Sequence, residues 1–577
     1  MPNNTFAIDP ALWKVEKIGV IGPGIVGMPM AALLAHSEVK IGSGKPARVI
    51  VVQRNSKNSG WKVAAINEGR SVIGGIEPGL DEMTASSVDD GLLSATHDFS
   101  ELSDADVILV SVQTDKKDLA PDYGPLFGAL ESLGGALKNK PAGKMPLVIF
   151  ESTLAPTTMD TLIRGHFQKY GLQEGKDMLL GNSPNRVMPG RLVERVRKSD
   201  KLAGGLTPGT AELIERLYMN VVSKGKIYKT NCLTAEIVKT LENAYRDVRI
   251  AFSAEIARYC DENDISFYKV REIVNTRLAQ TDTATSDPNA VPSGGILIPM
   301  LGVGGHCLPK DGILLWWRSI QTGRDISNSL ILQSRTINDE SPVLTFQQAE
   351  KFFGDLSGST IALLGTAYRF NSEDTRNSPT LSLANYLRER DINYVLHDPY
   401  VKEDDQNLQK YEQTDHYTRK LDDALQNADY IFMCTGHKEY IDKKDKIITA
   451  TELKGVMDAC NIYTPLYFDS QNIPYTGIGR GKNIPEREFI DFVHDSFCAM
   501  EKGLALELSG LIEFYNKNFV NDEFNIVNFD QVQKLSGTCS TGCEIADPGV
   551  IKQVPNYKGF ISKLVLNAKE LSQAKYG

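Results

Sequence analysis

Short, continuous apolar runs alternate along this chain with stretches of helical periodicity. Four runs lie in the first third: KIGVI (17–21), RVIVV (48–52), DVILVSV (106–112) and PLVIFES (146–152). Each is brief and rich in β-branched residues, which reads as a strand buried on both faces of a parallel sheet. Three more follow later: STIALLGTAY (359–368), NYVLHDPY (393–400) and DYIFMCTGH (429–437). Helical stretches separate them, so the pattern predicts two α/β units. Between the units, residues 234–259 read as one long helix without Gly or Pro, suited to spanning domains or forming a dimer seam. Residues 484–517 read as a further amphipathic helix, and 518–577 are mixed. SEVKIGSGKPA (37–47), the polar stretch 280–294 and the charged stretch 401–425 read as surface segments.

The first strand runs straight into GPGIVG, followed by the apolar helical stretch IVGMPMAALLAH. Strand, GxGxxG and helix in that order form a dinucleotide-binding fingerprint. Gly22 would permit the tight turn, Gly24 the approach of a pyrophosphate, and Gly27 the packing of helix on strand. The helix N-terminus at Ile25 and Val26 would offer N–H groups to the anion. An acidic residue usually closes the second strand and binds the ribose. Here Gln53 stands there, followed by Arg54. Gln53 can bind a ribose without repelling a 2′-phosphate, and Arg54 or Lys57 could pair with one. NADP therefore stays open beside NAD. In an open parallel sheet, ligands lie beyond the carboxyl ends of the strands. Gln113 and Thr114 after the third run, and Ser152 and Thr153 after the fourth, are placed to line that crevice.

The remaining chemistry centres on LGVGGHCLPKDGILLWW (301–317). Cys307 follows a glycine-rich turn and precedes a helix-like segment, a position where free N–H groups and the helix dipole favour a thiolate. Cys260, Cys434 and Cys498 lie in apolar or helical stretches and read as core thiols. Cys539 and Cys543, in CSTGC, could bind a metal or form a disulfide; no second ligand pair accompanies them, so no metal is expected. On the long helix, Lys239 and Asn243 are four apart and share a face. Composition narrows the partners. Counting 63 basic against 73 acidic residues gives a net charge of −10, which argues against nucleic-acid binding through bulk positive charge. No apolar run is long enough to cross a membrane, the N-terminus has no secretory pattern, and eight scattered cysteines fit a reducing cytoplasm.

Seven segments, in order across residues 15–482, carry a resemblance: GPGIVGMP (22–29), INEGRSVIGGIEPGL (66–80), EST (151–153), SPNRVMPGR (183–191), AEIVKTLENAYRDVRIAF (235–252), GVGGHCLPKD (302–311) and LLGTAYRFNSEDTRNSP (363–379). With them the chain resembles the nucleotide-sugar 6-dehydrogenases, the UDP-glucose/GDP-mannose dehydrogenase family. The resemblance implies an α/β fold of two Rossmann-like parallel-sheet domains joined by a long central helix. It suggests an NAD-binding domain at 1–230, a central helical domain with the cysteine loop at 231–340, a UDP-sugar-binding domain at 341–485 and an unassigned extension at 486–577. It implies an NAD-dependent enzyme of polysaccharide biosynthesis that oxidises C6 of a UDP-sugar to the acid, cytoplasmic and homodimeric through the central helix. By that analogy Cys307 is the nucleophile of a thiohemiacetal and a thioester. Lys239 stabilises oxyanion charge, Asn243 is its helical partner, Asp311 is the acid/base near the thiol, and Thr153 helps hold a water. Substrate contacts are implied for Asn185, Arg186, Val187, Lys239, Asn243, Arg277, Gly304 and Arg369.

The departures matter. The family usually has Pro-Glu where this chain has Pro184-Asn185, and Asn185 cannot act as a base. Glu151 or Asp311 could take over through water, or the reaction could stop early or become an oxidation–reduction cycle. Arg369 replaces a usual lysine, and DACNIYTP (458–465) lacks a usual arginine. GVGGHC and RVMPGR favour the UDP-N-acetylhexosamine branch (UDP-GlcNAc or UDP-ManNAc), whereas LPKD is closer to the UDP-glucose branch. A nucleotide-sugar binding protein without turnover is the remaining alternative.

Overall fold

The computed structural model describes residues 7–187, 189–279, 294–449, 452–538, 551 and 556–576. The segment expected as a loop at 280–294 lies outside these residues apart from Gly294, as do Cys539 and Cys543. The chain forms two compact units: residues 1–241, 313–322 and 511–536, and residues 242–312, 323–510 and 537–577.

The sheet of the first unit contains β1 (Lys17–Ile21), β2 (Arg48–Val52), β3 (Leu93–Thr96), β4 (Val107–Val110), β7 (Leu147–Phe150), β8 (Leu179–Asn182), β9 (Lys201–Gly205) and β10 (Ile227–Asn231). A separate antiparallel pair, β5 (Asp115–Lys117) and β6 (Ala120–Asp122), lies between. The strand order is β10-β9-β8-β7-β4-β1-β2-β3, parallel throughout except where β9 runs antiparallel to β8. Alternate residues serve two cores. Val20, Val51, Leu109 and Ile149 face one, with helix α1 (Gly27–His36); Ile21, Val52, Ile108, Val110 and Phe150 face the other. Each fully buried aliphatic side chain contributes about 1.5–3 kcal/mol. The four expected strands are present. β3, β8, β9 and β10 were not read from the sequence: glycines and polar residues interrupt their apolar runs.

The second unit holds a six-stranded, all-parallel sheet: β11 (Thr360–Leu364), β12 (Asn393–His397), β13 (Tyr417–Thr418), β14 (Tyr430–Met433), β15 (Gly455–Asp458) and β16 (Tyr475–Gly477), ordered β13-β12-β11-β14-β15-β16. The stretch 401–425 is not surface alone. It supplies β13, and Leu408, Leu421 and Leu425 are buried.

The long helix is α3 (Cys232–Glu262), after α2 (Pro208–Tyr218). Then come α4 (Phe267–Arg277), α5 (Leu308–Gln321), α6 (Leu330–Phe353), α7 (Arg487–Phe519) and α8 (Lys563–Tyr576). No residue of α3 from Cys232 to Asp261 is exposed. In the second unit the C-terminal extension covers it. Phe497 meets Phe252 edge-on at 5.7 Å, Phe489 packs on Tyr259 at 5.2 Å, and Glu501 accepts from the Tyr245 hydroxyl at 3.1 Å. At the start of α8, Ser562 and the Lys563 N–H donate to Glu255. The seam that the sequence suggested for a second copy is thus occupied by the chain's own segments. Cys232, Cys260, Cys307, Cys434 and Cys460 are free thiols, whereas Cys498, expected as a free core thiol, is disulfide-bonded.

Candidate active site

In the first unit, the glycine loop after β1 has the form a dinucleotide needs. Gly22 adopts φ +87°, the left-handed region open to glycine. A Cβ on Gly27 would lie 2.2 Å from the Gly22 carbonyl oxygen, so only glycine lets α1 close on the loop. A Cβ on Gly24 would meet nothing within 4 Å: this is the open cradle. The Ile25 and Val26 amides lie just before the helix. Lys62, missed in the sequence, donates to the Pro23 carbonyl at 3.3 Å and brings a cation to this loop. At the ribose end Gln53 donates to Ser59 Oγ at 2.8 Å, and Arg54 is exposed.

The ends of β4 and β7 interlock. Ser152 Oγ donates to the Val112 carbonyl at 2.6 Å, and Thr114 Oγ1 to the Thr153 carbonyl at 2.8 Å. Gln113, between Val112 and Thr114, is exposed. The turn after Thr153 is strained: Thr157, a β-branched residue, adopts φ +76°. Glu236 of α3 holds it, accepting from the Thr157 and Met159 N–H groups at 2.7 and 2.8 Å. Arg318 of α5 adds bonds to the Thr157 and Thr161 hydroxyls at 2.9 and 2.8 Å. Burial raises the Glu236 carboxyl to about 8. Lys239, one turn further along α3, is 8% exposed.

Beside these strand ends lies a polar cluster that sequence reading only half found. Lys201 Nζ donates to Asn185 Oδ1 at 2.8 Å and the Ser183 carbonyl at 3.2 Å, and pairs with Glu151 at 3.5 Å. It lies 4.2 Å above the Tyr218 ring, and the Tyr218 hydroxyl donates to Glu151 at 2.7 Å. Ser111 donates to the other Glu151 oxygen at 3.1 Å. Glu151, expected as a substitute base, is therefore committed on both oxygens. Arg186 donates to the Asp200 and Leu535 carbonyls, and Val187 packs on the core.

In the second unit, Cys307 immediately precedes α5 and is half-buried; its carbonyl accepts from the Lys310 and Asp311 N–H groups. Asp311 is buried and held from two sides, by Lys310 Nζ at 2.7 Å and by Asn243 Nδ2 at 2.5 Å. Asn243 and Lys310 thus converge on the Asp311 carboxylate, and the Asp311 backbone N–H bonds the Cys307 carbonyl. The thiol loop is clipped to the turn after β11. Gly305 donates to the Arg376 carbonyl at 2.8 Å, and Asn377 donates to the Gly305 carbonyl at 2.9 Å. A Cβ on Gly304 would lie 2.4 Å from Tyr368.

That same turn carries Arg369, whose guanidinium lies 4.7 Å over Phe370. Buried Asp398 fixes it, accepting from the Thr366 and Ala367 N–H groups and from His437 Nε2 at 2.9, 2.8 and 2.9 Å. The Asn371 N–H donates to His437 Nδ1, which leaves the ring proton on Nε2, toward Asp398. Arg277, implied as a substrate contact, pairs with Asp491 of α7 at 2.6 Å.

Three domains of the UDP-glucose/GDP-mannose dehydrogenase family match the chain: the NAD-binding domain over residues 16–222, the central domain over 233–340 and the UDP-binding domain over 362–465. The UDP-N-acetyl-D-mannosamine dehydrogenase of Pyrococcus horikoshii is 31% identical over 81% of this chain and 99% of its own. The NDP-N-acetyl-D-galactosaminuronic acid dehydrogenase of Ralstonia nicotianae is 28% identical over 74% of this chain and 92% of its own. Among solved structures, the NDP-N-acetyl-D-galactosaminuronic acid dehydrogenase from Methanosarcina mazei Go1 superposes with a TM-score of 0.65 at 31% identity, covering 81% of this chain and 96% of that one.

Proposed function

The chain belongs to the UDP-glucose/GDP-mannose dehydrogenase family, and from that premise we propose that it oxidises C6 of a UDP-N-acetylhexosamine, UDP-N-acetylmannosamine first, to the uronic acid. It is an oxidoreductase acting on CH–OH groups, with NAD as its cofactor. The acetamido sugar rests on the names of its relatives and on GVGGHC and RVMPGR; UDP-glucose ranks next. NAD, when bound, supplies the hydride acceptor for two successive oxidations. The observation that carries the reading is Cys307 at the start of α5, three bonds deep in a loop anchored by Asp311, Gly305 and Asn377.

In this reading the Cys307 thiolate adds to the C6 aldehyde, the thiohemiacetal is oxidised to a thioester, and water releases the carboxylate and the thiol. Lys239 stabilises the oxyanion. Asn243 and Lys310 keep Asp311 oriented as the proton carrier beside the thiol, and Thr153 holds a water. The cradle at Gly24 takes the pyrophosphate. Arg369 serves the substrate diphosphate from the turn that clips the thiol loop. The reading places the enzyme in the cytoplasm. A homodimer would join through a face other than the covered α3.

The test is Cys307→Ala and Cys307→Ser with UDP-N-acetylmannosamine and NAD, following acid by mass. We expect loss of acid formation by more than 10³-fold, as for removal of a nucleophile from a concerted site. Acid formed by Cys307→Ala at the wild-type rate would refute the mechanism.

A further inference from the structure

The residue where the family usually has a glutamate, Asn185, is held in one orientation by a lysine outside every motif. β8 and β9 run antiparallel, with Asn182 opposite Gly204 and Gly181 opposite Gly205. Continuing that register beyond the strand end brings Asn185 opposite Lys201, the first residue of β9. An ammonium only donates. The group of Asn185 that meets Lys201 is therefore the carbonyl oxygen, at 2.8 Å, and the NH2 points away. Burial lowers Lys201 to about 8, so near neutrality it remains an ammonium. Its other contacts, the Ser183 carbonyl and Glu151, use its remaining N–H groups.

The Asn185 NH2 is left open. The residue is 8% exposed, and Nδ2 is buried with no hydrogen-bond partner. A buried donor left unpaired is destabilising, and native proteins rarely keep one without use. This one lies at the carboxyl end of the sheet, where ligands of open α/β sheets bind. Its neighbourhood is positive: Arg186 and Lys239 both act electrostatically on Lys201. A donor in a positive field selects an oxygen acceptor that is negative or becomes so.

We propose that Asn185 is a hydrogen-bond donor to an oxygen of the bound sugar, and that Lys201 is the positioning residue that fixes its amide for that task. The inference rests on the nucleotide-sugar dehydrogenase reading and deepens it. The position does not work as a weakened base. It gives up proton abstraction and offers an N–H to the substrate oxygen instead. Lys201 acts through Asn185 and itself touches no substrate.

The test uses the full-length protein, UDP-N-acetylmannosamine and NAD. Asn185→Asp keeps the size and removes the donor; kcat/KM should fall at least tenfold. Lys201→Met frees the amide to turn and should fall similarly. Lys201→Arg keeps a donor to Oδ1 and should restore kcat/KM to within about threefold of wild type, which a merely structural loss would not predict. Asn185→Asp at wild-type efficiency, or Asn185→Glu faster than wild type, would overturn the inference by showing that a carboxylate serves as well or better. Should Lys201→Met fail to fold, Asn185→Asp and Lys201→Arg still decide. A wild-type protein that oxidises no nucleotide sugar would overturn the functional reading, and this inference with it.

Discussion

At the scale of single residues, two glycines of one loop do different work. Gly27 is a packing glycine, because its Cβ would strike the Gly22 carbonyl at 2.2 Å. Gly24 is a ligand glycine, because its Cβ would meet only open space. Gly27→Ala should therefore lower thermal stability and NAD affinity together. Gly24→Val should leave the melting temperature within about a degree or two while weakening NAD binding at least tenfold, measured by calorimetric titration with thermal unfolding in parallel. Unchanged NAD affinity in Gly24→Val would show that the cofactor does not use this cradle. Lys201 and Tyr218 make the opposite point. Nothing in their local sequence marks them; Lys201 opens an ordinary strand and Tyr218 ends an ordinary helix. They become functional candidates only because β9 reverses direction and delivers Lys201 to the ends of β7 and β8.

At the scale of elements, α3 is fastened near both ends by carboxyl groups, buried Glu236 and half-buried Asp261. Glu236 caps the strained turn at Thr157, and Asp261 accepts twice from the Gly479 N–H. Burial raises both acids, Glu236 to about 8 and Asp261 to about 7. In the unfolded chain they titrate near the ordinary carboxyl value, ~4. Between about pH 4 and 8 the unfolded chain has already lost these protons while the folded chain keeps them. The unfolded state then binds fewer protons, so stability falls as pH rises through this range and levels off above it. Melting temperature should be several degrees lower at pH 8.5 than at pH 6, and Glu236→Gln should flatten that slope. A melting temperature that stays constant or rises between those pH values would contradict this account of α3. The extension belongs to the same scale. Read from sequence it had no assigned role; in the structure α7 and α8 complete the core around α3. Its apolar face was visible in the sequence, but what it covered depended on long-range packing.

At the scale of the whole molecule, much of the architecture was legible. The strands before GPGIVG and after it, the long helix and the second α/β unit all rest on local signals of run length and period, and they hold. The strands β3, β8, β9 and β10 escaped because small and polar residues break their short apolar runs. Of the candidate site, motif spacing carries the glycine loop, and the resemblance carries Cys307, Asp311 and Asn243. Arg277 pairs with Asp491, which belongs to an extension without a motif. Asn185 was recognised as a departure, yet its meaning lay in a lysine sixteen positions on, across a strand reversal. The central claim, four-electron oxidation of a UDP-N-acetylhexosamine despite Asn185, is tested most directly by stoichiometry. Purified protein, a limiting amount of UDP-N-acetylmannosamine and excess NAD should yield two NADH and one uronic acid per sugar. One NADH per sugar, an unhydrolysed thioester on Cys307, or an epimer without net NADH would contradict the claim and show that losing the glutamate changed the reaction.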